Sequence, residues 1–144
     1  MSEMLANHYF MIRNYARAIN TYESLAAKSG ISKATRKKMI ICYVRTFQIE
    51  KAFVEFNKLV EEDLSFIIQT DLNADDCPCP DIIAEIERNE IDFKNKYEKL
   101  IALGILWLYC DKKESSVHFT KAYQIDQNDI HLHKLILLLN NNKN

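Results

Sequence analysis

Four cysteines and a short acidic stretch are the residues of this 144-residue chain with the clearest potential for chemistry. Cys77-Pro78-Cys79-Pro80 sets two thiols two positions apart, suited to a soft metal or to reversible oxidation. Tetrahedral metal binding takes about four ligands, so Cys77 and Cys79 would need His118, His131 or His133 from elsewhere in the chain. Both cysteines precede proline, which biases them to extended backbone and points to a shaped loop. Neighbouring carboxylates raise thiol pKa and blunt reactivity. Asp71-Leu72-Asn73-Ala74-Asp75 resembles the opening of a calcium loop, but Asp76 stands where glycine is wanted and Ile82 where a bidentate glutamate is wanted. Cys77 and Cys79 are therefore candidate metal or redox residues within a structural loop, and no cofactor is expected.

Other chemistry has little support. The two glycines, Gly30 and Gly104, are isolated, so no phosphate loop exists. No serine, cysteine or histidine forms a nucleophile–base pattern, and the chain reads as a non-enzyme. Lys33, Arg36, Lys37 and Lys38 crowd one short segment without interleaved aromatics, and net charge is −1, so nucleic acid is not an expected partner. The charge is unevenly spread: residues 1–60 carry +6, residues 61–92 carry −10 and residues 93–144 carry +3. Cys42 and Cys110 lie on apolar stretches and read as small core residues. No export signal or membrane-length apolar run is visible, which predicts a cytoplasmic protein with no membrane partner.

The elements that must position these residues are helices. Apolar residues make up 48% of the chain, charged ones 27%, and only two Gly and two Pro punctuate it. This predicts an all-α protein. Leu5 to Leu64 repeats itself 34 residues later: Tyr9 falls on Tyr43, Arg17 on Lys51, Ala18 on Ala52, Tyr22 on Phe56 and Leu25 on Leu59. Helical spacing of Ala18, Ile19, Tyr22, Leu25 and Ala26, and of Met39, Ile40, Tyr43, Val44 and Phe47, gives each half an apolar stripe. Gly30 suits a helix end and Ser32 the cap of the next helix. Thr70 to Pro80 reads as an acidic loop. Residues 81–110 form one helix or two, with a break favoured near residue 90. Residues 129–140 form a closing helix followed by a frayed polar tail, Asn140 to Asn144.

A 34-residue period resembles the tetratricopeptide repeat. Leu5-Ala6, Tyr9, Ala18 and Tyr22 fit one copy; Met39-Ile40, Tyr43, Ala52 and Phe56 fit a second; Leu103-Gly104, Trp107, Phe119 and Ala122 fit a third that is one residue short, with Ser115-Ser116 at the small crossing position. The resemblance implies a single domain over 1–144: antiparallel hairpins stacked as a short right-handed superhelix. Its repeats would span about 1–30, 32–64 and 92–126, with an acidic insertion over 65–90 and a capping helix over 129–140. It further implies an adaptor or scaffold that binds a protein or peptide segment in a concave groove. That groove would be lined by Asn7, Phe10, Met11, Lys37, Ile41, Val44, Arg45, Ile101, Ile105, Leu108 and Tyr109. Members that grip a terminal carboxylate place cations where this chain has Glu3 and Glu98. Small secretion chaperones are similar to three such repeats and offer an alternative role; a metal- or redox-responsive sensor using Cys77 and Cys79 is another. The apolar run 130–139 is a candidate face for pairing of two copies.

Overall fold

The computed structural model describes residues 2–141. Among them are eight helices and no strand: α1 Glu3–Met11, α2 Tyr15–Ser29, α3 Lys33–Arg45, α4 Ile49–Ile68, α5 Cys79–Glu87, α6 Lys96–Leu108, α7 Lys112–Ile125 and α8 Ile130–Asn141. The all-α expectation holds. Of the polar tail, Asn140 and Asn141 close α8, whereas residues 142–144 lie outside the described residues. The chain divides into two compact units, Met1–Leu59 and Val60–Asn144.

In the first unit, polar side chains cap the starts of α1, α2 and α3. Ser2 Oγ accepts from the Leu5 amide, Asn14 Oδ1 from Arg17 and Ser32 Oγ from Thr35, each at 3.2 Å. These bonds satisfy amides that have no partner inside the helix. The ends of α1 and α3 are built alike. Arg13 and Phe47, 34 positions apart, both take left-handed backbone with φ of 65° and 62°. Each is followed by an amide reaching back five residues at 2.8 Å, Asn14 to Tyr9 and Gln48 to Tyr43. The sequence period is thus a period of backbone geometry, although neither position is the glycine that usually occupies it. Gly30, with φ of 75° and ψ of 173°, sits where a side chain would be strained.

Residue numbers in contact fix helix directions. Phe10 meets Tyr15, Tyr9 meets Arg17 and Asn7 meets Tyr22, so α1 and α2 run antiparallel. Between α1 and α3 the separation stays constant: Thr35 donates to Glu3 at 2.6 Å and Lys38 to Asn7 at 3.2 Å, so these helices run parallel. Ala6, Ala18, Tyr22, Ile40, Ala52 and Phe56 are wholly buried. With a methyl at Ala18 and Ala52, neighbouring backbones can come close while the aromatic one turn later fills the space beyond.

In the second unit, α4 is helical to Ile68 but breaks at Asp63 (φ −163°, ψ 78°). The acidic loop is tied to itself: Asp71 Oδ1 accepts from the amides of Asn73 and Ala74, and the Cys77 amide donates to Leu72 O at 3.0 Å. It ends earlier than expected, because Cys79 and Pro80 already belong to α5. Proline is tolerated in a first helical turn, where its missing N–H has no intrahelical acceptor. The chain from 81 to 110 is two helices, α5 and α6, with residues 88–95 between them. Asn89, at φ 57°, repeats the left-handed exit seen after α1 and α3.

The α6–α7 crossing is the tightest contact of this unit. A methyl on Gly104 would lie 2.6 Å from two Phe119 ring carbons, and Ser115 Oγ donates to Gly104 O at 2.6 Å. Ser115 and Phe119 are both wholly buried at this crossing. Ser116 meets Asn140 and Tyr123 meets His133, numbers that total 256 in both pairs, so α7 and α8 run antiparallel.

Candidate functional site

The expected groove residues do not share one environment. Phe10, Ile41, Val44, Ile101, Ile105, Leu108 and Tyr109 are core side chains, each at most 2% exposed. Their apolar faces already have partners, so they cannot form an open lining. Lys37 is also buried, at 8% exposed. Asn7 and Arg45 are half-buried, and Met11 is 58% exposed. Stripe periodicity located the helices but could not tell a groove position from a core position on the same helix.

A half-buried polar cluster links α1, α2 and α3 in the first unit. Asn7 Oδ1 accepts from Tyr22 Oη at 2.5 Å and from Lys38 Nζ at 3.2 Å. Lys38 Nζ also stands 5.8 Å from the centre of the Phe10 ring, within cation–π reach. Burial, the nearby Cys42 thiol and Glu3 hold the Tyr22 phenol well above its ordinary value, so it stays a donor. On α2, Glu23 accepts from Tyr43 Oη at 2.7 Å and lies 4.0 Å from Lys51. Burial, then the Glu23 bond, pushes the Tyr43 phenol up as well. The basic cluster at the start of α3 is therefore partly consumed: Lys38 is held by Asn7 and Phe10, and Lys37 is buried. Lys38 was not among the expected groove residues; its only sequence signal was the basic run itself.

In the second unit the three thiols differ in exposure. Cys79 is wholly buried in the first turn of α5, Cys77 is half-buried and Cys110 is exposed. Cys110 was expected in the core. It lies instead two residues past the end of α6, where the helical stripe no longer applies. Among the described residues no group of three or more His, Cys, Asp or Glu is arranged to hold a metal ion. The calcium-like Asp71 carboxylate is engaged in the backbone turn above. His118, one of the histidines that a Cys77/Cys79 metal site would need, stacks on Trp107 with ring centroids 6.4 Å apart and an interplanar angle of 17°. Its Nδ1 lies 2.8 Å from Glu114 O. The indole Nε1 of Trp107 is buried, with no hydrogen-bond partner among the described residues.

A cleft of about 420 Å³ lies between the loop after α5 and the first turns of α6, lined by Asn89, Asp92, Phe93, Lys96 and Lys99 among others. Lys99 Nζ donates to Asn89 Oδ1 across its mouth at 3.1 Å. Nothing in the periodicity announced it, because it belongs to a loop. Along 130–139, Leu132, Leu135 and Leu139 are buried while Ile130 and Leu137 are exposed. Among the described residues no helix is long and apolar enough to cross a membrane. Compared with known family models, curated proteins and solved structures, the chain matches none.

Proposed function

We propose that this chain is a short tetratricopeptide-like repeat protein and a non-catalytic adaptor that holds a protein segment against α1 and α3. The observation that carries the proposal is a recurring separation. Glu3 bonds Thr35 across the parallel pair α1 and α3, and Tyr97 bonds Asp129 at 2.9 Å between α6 and the start of α8; both pairs are 32 residues apart. A helix, an antiparallel partner and a parallel third helix therefore occur once in each unit, with α8 in the place of a first helix that has no second. This is what stacked hairpins with a terminal cap produce. The matching left-handed exits at Arg13 and Phe47 and the buried sets around Ala18, Ala52 and Ser115 support the same reading.

The proposed surface takes the exposed Met11 together with residues that are half-buried on α1 and α3. Asn7, Met11, Lys38 and Arg45 combine an apolar side chain with amide and cationic groups, which suits an amphipathic segment bearing acidic residues. Phe10 and Tyr109 are unsuitable for a test, since truncating either opens a core cavity. Met11→Glu is suitable because the side chain is exposed. Partners retained by the wild-type protein are identified by mass spectrometry, and the bound segment is then titrated directly as a synthetic peptide. The expected result is at least a tenfold weaker Kd for Met11→Glu at unchanged helicity. Equal affinity for both proteins removes α1 from the site.

A further inference from the structure

Two thiols far apart in sequence flank the packed helices of the second unit, Cys77 just before α5 and Cys110 just after α6. Asn89, just past α5, bonds Lys99 in the first turns of α6, and the two helices pack on one another. In an antiparallel pair, facing residue numbers keep a nearly constant total, as the α7–α8 contacts demonstrate. Continued from Asn89 and Lys99, that register sets Pro78 opposite Cys110, with Cys77 and Cys79 on either side. Cys79 is wholly buried and held in the helix, whereas Cys77 is half-buried and Cys110 exposed. Each of the latter two lies just beyond a helix, one position before the Pro78 cap and one after the Tyr109 cap. Backbone there can adjust to the spacing of roughly 4.4–6.8 Å between Cα atoms that a disulfide needs.

We infer that Cys77 and Cys110 form an oxidisable dithiol site, closing a disulfide that ties the start of α5 to the end of α6. This pairing is independent of the adaptor reading, and it replaces the Cys77–Cys79 pair that sequence proximity suggests. The thiol of Cys110 is pushed up to about 11, by burial first and then by Cys77 and Asp111, which agrees with the two sulfurs being neighbours. A mostly protonated thiol attacks slowly, so the site responds to sustained oxidation and not to brief exposure. With a small-molecule disulfide as oxidant, one deprotonated thiol attacks a sulfur and releases one small thiolate. The second protein thiolate then displaces the other small thiol from the mixed disulfide. The two cysteines are oxidised by two electrons in total, the small disulfide is reduced to two thiols, and the protein loses two hydrogens.

The test uses the full chain, reduced, then equilibrated with oxidised glutathione, with free thiols alkylated before non-reducing digestion and mass spectrometry. The expected product lacks two hydrogens and joins the peptide containing Cys77 to the peptide containing Cys110, with Cys79 and Cys42 alkylated. Cys79→Ser retains the link. Cys110→Ser loses it and accumulates glutathione on Cys77. Oxidation in concentrated urea lowers the yield of this link several-fold, because only the fold brings the two segments together. A Cys77–Cys79 link in the native protein, glutathione stalled on Cys110, or thiols that stay reduced in excess oxidant would each overturn the assignment.

Discussion

Gly104→Ala is the perturbation that most directly probes how the second unit is packed. The new methyl would sit 2.6 Å from Phe119 Cδ1 and Cε1 and 2.8 Å from Cζ, well inside contact distance. Phe119 is wholly buried, so its ring has no free space to swing into. Forcing a methyl into a filled core costs about 1–3 kcal/mol. Replacing glycine by alanine inside a helix returns about 0.5–1 kcal/mol. Spreading α6 from α7 also stretches the 2.6 Å Ser115–Gly104 bond, a further loss of about 1 kcal/mol. The net expectation is a destabilisation of about 1–3 kcal/mol, from those same terms. The assay is urea unfolding followed by tryptophan fluorescence. Trp107 is the single tryptophan and lies on α6 against His118 of α7, so it reports this crossing. Phe119→Leu in the Gly104→Ala background should recover part of the loss beyond additivity, since the two residues touch. An unchanged or raised midpoint for Gly104→Ala would refute the close crossing.

Further expectations concern pH, turns and caps. The Cys42 thiol is pushed up from an ordinary value near 9 to about 12, chiefly by burial, so the folded chain keeps a proton that the unfolded chain releases. That stability is fully present below about pH 9 and is lost as pH rises towards 12, at up to about 1.4 kcal/mol per pH unit. Cys42→Ala should flatten the fall in stability between about pH 9 and 10, before tyrosines of ordinary pKa begin to ionise, as measured by circular dichroism. Arg13→Val should cost about 1–2 kcal/mol, because a β-branched side chain tolerates the φ of 65° poorly, while Arg13→Gly is accepted. Ser32→Ala should remove about 1 kcal/mol by exposing the Thr35 amide without its cap, read as a lower denaturation midpoint.

The sequence by itself determined what is local and periodic. Two glycines and two prolines in 144 residues excluded a strand-rich chain. Ser32 announced a helix start through a side-chain oxygen that accepts a nearby amide, and Arg13 and Phe47, one 34-residue period apart, share a left-handed backbone conformation. Only the tertiary structure decided which apolar positions are closed off. Ile41 and Met11 look alike on a helical stripe, yet one is buried and the other faces water, because burial depends on which neighbours arrive. The same holds for Cys110, apolar in its sequence neighbourhood but exposed past a helix end. The pairing proposed for it with Cys77, 33 positions away, rests on the packing of α5 on α6, which no spacing along the chain encodes.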